Sequence, residues 1–395
     1  MPPPAVQPPD VLIAQQPSPD APLSEPARPR RAPRLYALDG LRLLAALSVV
    51  SFHWTADAGV PEIWDNRVPA DFMPGISGVT SYGWLGVQLF FLISGFVICM
   101  SCWGRKSGDF FVSRVIRIFP AYWAAILLTA VVLLLTPSLG RPAARIIEIK
   151  MVMANFTMFP GPLGFQYVDG VYWTLWMELQ FYLLFAVVVA KGLTYRRTVA
   201  FCGIWTVAAL MAPETNIPLL KTLTMPDQAP YFIAGVAMFL MHRFGPTLLL
   251  WGIIGFSWLI AITRIDHVKP VYDDASGHTL SWNIVAALVT LCFLVVIAVA
   301  LGAFNWVQWK GLTVAGALTY PLYLIHQEIG WTLIHWLREQ GFWSGTALAV
   351  TLVVVLVAAW LLHRLVERPV SNLMKRHLNK SLATMRAASD TRPAE

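Results

Sequence analysis

Charge is scarce in this sequence. Only 13% of its 395 residues are Asp, Glu, Lys or Arg and 57% are hydrophobic, a balance that a soluble domain of this length rarely shows. Cysteine is scarce as well: Cys99, Cys102, Cys202 and Cys292 are the four present, each within or at the end of an apolar run. The CxxC pair Cys99 and Cys102 has no second pair to complete a zinc set, so no metal site is expected. Buried small hydrophobes are the main reading of all four, with a covalent acyl-cysteine carrier as the weaker one. No internal repeat is visible, as the arginine, FFLISGF and YPLYLIH blocks each occur once, and this disfavours the duplicated halves of many transporters. A basic face on a soluble domain is also lacking, which excludes nucleic acid as the partner behind the net charge of +7. Nothing like a cleavable signal peptide precedes the first apolar run, which is therefore expected to direct insertion itself.

What the chain has in abundance is long apolar runs. They lie near residues 38–55, 82–102, 118–136, 171–190, 199–211, 229–241, 247–263, 280–301, 312–333 and 346–365. Read against the ~20 apolar residues that cross hydrocarbon, they predict an all-α, polytopic transmembrane bundle of about ten helices. Lys and Arg alternate from loop to loop. Arg105, Arg114, Arg117, Arg196, Arg197, Arg243 and Lys310 would share one side, while Asp57, Glu62, Asp169 and Asp266 would share the other. By the positive-inside rule both termini are then cytoplasmic, in the cytoplasmic (inner) membrane. Residues 1–34 are Pro-rich and expected to be disordered, 35–369 form the membrane domain, and 370–395 are a basic cytoplasmic tail drawn to anionic lipid. No further globular domain is expected.

Two residues of the first apolar run stand out. Arg42 and His53 in DGLRLLAALSVVSFHW are ionisable groups inside a span, which are rare and face the bundle interior or water. Eleven residues at about 100° each make about three turns plus 20°, so both side chains leave one helix face roughly 16 Å apart. Two more polar residues are expected at the height of His53. His53 and His326 should each lie about 20 Å above the cytoplasmic end of their helices, and Glu178 about 10 Å below the outer surface. Glu178 divides evenly between a catalytic part and a helix-packing partner of an Arg or His, and His326 leans to a supporting role. His242, His335 and His363 sit at helix ends, where snorkelling explains them.

These blocks, in this order, resemble the acyltransferase family 3 membrane proteins, bacterial O-acyltransferases that modify polysaccharides and some antibiotics. The resemblance runs from Leu38 to Pro369. It rests on Asp39, Arg42 and His53; on Ser94 in FFLISGFVI; on Arg114 and Arg117 in FVSRVIRIFPAYW; on Glu178 in YWTLWMELQFY; on Tyr323 and His326 in TYPLYLIHQEIG; and on ERP at Glu367 to Pro369. It implies transfer of an acyl group, commonly acetyl from acetyl-CoA, to a hydroxyl of a glycan or glycosylated acceptor, with Arg42 and His53 essential. Many relatives carry an appended periplasmic hydrolase-like domain that this reading does not find here.

The chemistry of the residues agrees. Attack of a hydroxyl on a thioester needs a base, for which His53 is the natural candidate, with a carboxylate such as Glu178 to orient it. Arg42, Arg114 and Arg117 would hold the phosphates of acyl-CoA, since guanidinium pairs with phosphate through charge-assisted hydrogen bonds. The pantetheine arm would then thread from Arg42 towards His53. Acyl-CoA is read as a donor substrate and not as a resident cofactor; Asp39, Ser94, Tyr323 and His326 are supporting residues. The acceptor is a surface or secreted polysaccharide or a macrolide-type product, and glycan-assembly proteins are further partners. The rival reading is a transporter or flippase using His and Glu as a proton relay; a third is a structural subunit of an envelope glycan machine.

Overall fold

Apolar runs in lipid fold as helices because each backbone N–H and C=O must find its partner within the segment. The computed structural model describes residues 35–105, 107–136 and 147–390, and among them no strand occurs. The Pro-rich segment 1–34 expected to be disordered lies outside the described residues, as do residues 391–395 of the basic tail. The principal helices are α1 (Tyr36–Thr55), α2 (Gly86–Cys102), α3 (Ser107–Leu135), α4 (Trp173–Ala190), α5 (Tyr195–Met211) and α6 (Ala229–Phe244). They continue with α7 (Leu248–Thr263), α8 (Ile265–Ser276), α9 (Trp282–Ala300), α10 (Gly311–Ile325), α11 (Glu328–Glu339), α12 (Ser344–Leu361) and α13 (Arg368–Asp390).

Large apolar side chains face outwards over much of this surface, with Leu135 77%, Ile204 71% and Leu248 89% exposed. A soluble monomer does not carry a patch of that extent, and hydrocarbon is the medium that suits it. The number of spans differs from the expectation of about ten. Among the described residues five helices are long and apolar enough to cross a bilayer, or six if α7 and α8, bent by 48° at their junction, count as one. Length explains part of the difference: α5, α6 and α10 have 17, 16 and 15 residues, short of the ~20 that a crossing takes. Polarity explains more, because α1 is 20 residues long but carries Asp39, Arg42 and His53.

The core forms where backbones come closest. Helix α6 is buried from Ala229 to Met241 and packs on α2 more extensively than any other pair. Two glycines make that possible. A Cβ on Gly95 would lie 2.2 Å from the Phe232 carbonyl oxygen, and one on Gly235 2.1 Å from that of Leu92, the small-residue contact that lets membrane helices touch. Gly95→Ala should therefore destabilise the fold by about 1–3 kcal/mol, read as a lower unfolding temperature of the detergent-solubilised protein. Gly78→Ala, whose Cβ would meet nothing within 4 Å, is the control.

Helix α1 packs against both α10 and α2. The run expected as one span over 312–333 is instead broken: α10 stops at Ile325 and α11 begins at Glu328. His326 and Gln327 occupy the break, and the Trp54 Nε1–H donates to the His326 carbonyl at 2.9 Å while Trp331 Nε1–H donates to that of His53 at 2.7 Å. These two indoles fasten the end of α1 to the α10–α11 junction. The basic tail is helical as α13, with the Ser371 hydroxyl donating to the Ile116 carbonyl at 3.0 Å.

Candidate active site

Two cavities lie end to end inside the bundle. The first, of about 90 Å³, is lined by Arg42 from α1, Ser94 from α2, Arg117 from α3, Glu178 and Tyr182 from α4, and Tyr320 and Tyr323 from α10. Glu178 is held from two directions, accepting from the Ser94 hydroxyl at 2.9 Å and from the Tyr182 hydroxyl. Two guanidiniums, Arg42 and Arg117, and the Glu178 carboxylate line this space, with Asp39 acting on Arg42 from beside it. Asp39 sits against Gly316 of α10, where a Cβ would come within 2.7 Å of its Oδ1.

Arg114 is placed differently. Its guanidinium lies over the Tyr182 ring at 5.8 Å and its Nε–H donates to the Ser113 hydroxyl at 3.3 Å, so it braces the tyrosine that bonds Glu178 and does not line the cavity. Of the three arginines expected to hold phosphate, Arg42 and Arg117 share one space.

The second cavity, of about 190 Å³, is lined by His53, Trp84, Val87, Trp173, Tyr272, Tyr323 and Gln327. Val87 and Tyr323 belong to both walls. The Tyr323 hydroxyl is tied to Thr174 Oγ1 at 2.8 Å. The two cavities are thus neighbours across one valine and one tyrosine.

His53 Nδ1 lies 3.3 Å from Asp57 Oδ2. A carboxylate only accepts, so the proton belongs on Nδ1 and the Nε2 lone pair is left for chemistry. This is a correction to the pairing of His53 with Glu178: the carboxylate at the ring is Asp57, and Glu178 bonds Ser94 and Tyr182 in the arginine cavity. Counting residues along a helix gives height, but it says nothing of which neighbour a side chain faces, and Glu178 faces α2. The i, i+4 spacing of His53 and Asp57 is the signal that could have found the pair.

His326 is brought beside His53, with ring centroids 5.4 Å apart. It is wholly buried, and its Nδ1–H donates to the Tyr323 carbonyl at 2.8 Å while Nε2 has no partner. Two further buried atoms around the second cavity have no hydrogen-bond partner, Trp84 Nε1 and Gln327 Oε1. Trp84 is held flat on Tyr272, with centroids 3.9 Å apart and planes 7° off parallel. Buried polar atoms are seldom left unpaired. Trp84 carries no sequence signal of its own, since a tryptophan at a helix start reads as part of the interfacial belt.

The family described as an acyltransferase domain matches residues 35–364. Nodulation protein 10 of Rhizobium leguminosarum bv. viciae is 28% identical over 321 residues, covering 73% of this chain and 82% of its own. Acyltransferase MdmB of Streptomyces mycarofaciens is 26% identical over 392 residues, covering 88% of this chain and 94% of its own. No solved structure matches.

Proposed function

The chain belongs to the acyltransferase 3 family and is an acyltransferase, and on that premise we propose that it moves an acyl group, acetyl first among them, from acyl-CoA to a hydroxyl of a carbohydrate or glycosylated acceptor. The observation that supports this reading best is the shared wall of the two cavities at Val87 and Tyr323. Phosphates held by Arg42 and Arg117 at one end would put the pantetheine arm in line with His53 at the other. With about 90 and 190 Å³, the two adjoining spaces together suit a slender chain.

In the reaction, His53 Nε2 takes the proton of the acceptor hydroxyl as its oxygen attacks the thioester carbonyl. The Trp84 N–H donates to the oxygen that becomes negative. Collapse of the tetrahedral intermediate breaks the C–S bond, the CoA thiolate takes the proton back from imidazolium, and the products are an ester and free CoA. Asp57 orients the imidazole and steadies its charge. Tyr323 and Ser94 hold the walls, and His326 supports His53 from the side.

We place the protein in the cytoplasmic membrane with both termini in the cytoplasm, the shorter helices completing about ten passages. The arginine cavity then draws acyl-CoA from the cytoplasm and the ester forms towards the outer leaflet, on a surface or secreted polysaccharide or a macrolide-type product. Glycan-assembly proteins are the fitting partners.

The test uses full-length protein in nanodiscs with labelled acetyl-CoA and candidate glycans or macrolides. A gain of one acetyl mass on the acceptor, matched by free CoA, supports the reading. Transport without any acyl donor, and no ester, would overturn it. In the same assay Arg42→Ala is expected to raise the KM for acetyl-CoA by about 10- to 100-fold, the worth of one charge-assisted hydrogen bond, with a much smaller change in kcat. In sealed vesicles, acetyl-CoA confined to the cytoplasmic side should suffice. If it does not, the threading is wrong.

A further inference from the structure

A third cavity, of about 890 Å³, opens where α5 and α7 end and α4 and α6 begin. Its size lies in the range of small-molecule sites, ~300–1,000 Å³. The charge on its walls is unequal: among the described residues Lys221, Arg264 and His267 stand against one carboxylate, Asp227. That carboxylate is already engaged, its Oδ2 lying 3.2 Å from His267 Nδ1. Its other oxygen is 4.0 Å from Arg264 Nε, too far for a hydrogen bond.

The two permanent cations are therefore short of partners. The Arg264 side chain is only 21% exposed, yet among the described residues neither its terminal nitrogens nor the Lys221 ammonium meets a hydrogen-bond acceptor. A guanidinium carries five N–H donors in a rigid fork, and one so withdrawn from water is matched by a phosphate. Gln228 makes no side-chain capping bond at the start of α6, and the positive end of that 16-residue helix adds to the field.

The rest of the wall is apolar and sets the kind of anion. Trp176, Met177, Pro213 and Leu219 line it, and Leu219 is 66% exposed. Ile217 and Leu223, on either side of it in sequence, are exposed as well, so this flank continues into the outward-facing apolar surface of the bundle. A soluble anion gains nothing from such a flank. A lipid places its phosphate among the cations and its chain along the flank, and basic pockets between membrane helices hold anionic headgroups in this way.

We propose that this cavity binds the phosphate headgroup of an anionic membrane lipid, with Arg264 and Lys221 pairing with the phosphate oxygens and the lipid tail lying over Leu219. The cavity shares no lining residue with the two cavities assigned to acyl transfer, and the inference stands apart from that reading.

Binding is tested without acyl donor. Full-length protein, delipidated in neutral detergent, is titrated with phosphatidylglycerol, with phosphatidylcholine and with inorganic phosphate, and bound lipid is counted by native mass spectrometry. The expected result is phosphatidylglycerol bound at least about tenfold more tightly than phosphatidylcholine. Arg264→Gln and Lys221→Gln should each weaken that binding about tenfold, and Lys310→Gln, outside the cavity, should leave it unchanged. Asp227→Asn should strengthen it, because the opposing charge is removed, and a gain in affinity is a result that a damaged fold does not give. Equal binding of the two lipids, full binding by both cation variants, or unchanged or weaker binding by Asp227→Asn would each overturn the proposal. Displacement of phosphatidylglycerol by inorganic phosphate at comparable concentration would assign the cavity to free phosphate and overturn the lipid.

Discussion

His53→Ala is expected to lower acyl transfer by about 10²- to 10⁴-fold, the usual contribution of a positioned general base, while membrane insertion and acetyl-CoA binding persist. The expectation follows from the separation of tasks along α1. Arg42 lines one cavity and His53 the other, so removing the imidazole leaves the phosphate end untouched. It should show as a fall in kcat with little change in the KM for acetyl-CoA. His326 sharpens the test, because its unpartnered Nε2 stands on a ring centred 5.4 Å from that of His53. If the two exchanged roles, His326→Ala would cost as much as His53→Ala. On the proposed mechanism the base is His53 and not His326, since His53 pairs with the Asp57 carboxylate and His326 with a backbone carbonyl, and a carboxylate stabilises an imidazolium more strongly. Asp57→Asn should accordingly lower kcat as well, with little change in the KM for acetyl-CoA. Full transfer by the His53 variant would remove the base from the scheme.

Much of this site is legible along single helices. The spacing of Arg42 and His53 on one face of α1 survives in the structure as one residue in each of two adjoining cavities. The all-helical class follows from apolar runs alone, because a helix is the only segment that satisfies its own backbone in lipid. Relations between helices are what a pattern read along one chain does not contain. Glu178, expected at the height of His53, lines the arginine cavity and accepts from Ser94 and Tyr182, since the azimuth of a side chain depends on the neighbour that its helix packs against. The break at His326 and Gln327 is hidden for the same reason: TYPLYLIHQEIGW reads as one apolar run, and what holds the break open is the pair of indoles from Trp54 and Trp331. The number of spans is harder to read where short helices such as α6 are surrounded by protein, because hydrophobicity reports burial and cannot by itself distinguish a lipid neighbour from a helical one. The third cavity gathers residues from 161 to 267, and no local motif announces it.

Trp84→Phe is expected to reduce kcat by about 10²- to 10³-fold, the cost of removing one oxyanion donor. Phenylalanine keeps one aromatic ring against Tyr272 but gives up the second ring of the indole together with the N–H, so a modest loss of stability from the space left behind is expected as well. Trp84 lines the cavity that His53 lines, and its buried N–H has no acceptor among the described residues. Removing a buried donor that has no partner recovers about 1–3 kcal/mol, which offsets part of that packing loss, and a purely structural Trp84 would leave kcat intact. A donor reserved for the transition state predicts a folded protein, with unaltered KM for acetyl-CoA, that transfers acyl groups far more slowly. Unfolding temperature and steady-state kinetics on the same preparation separate the two. An unchanged kcat would assign oxyanion stabilisation to another donor and leave the indole as packing against Tyr272.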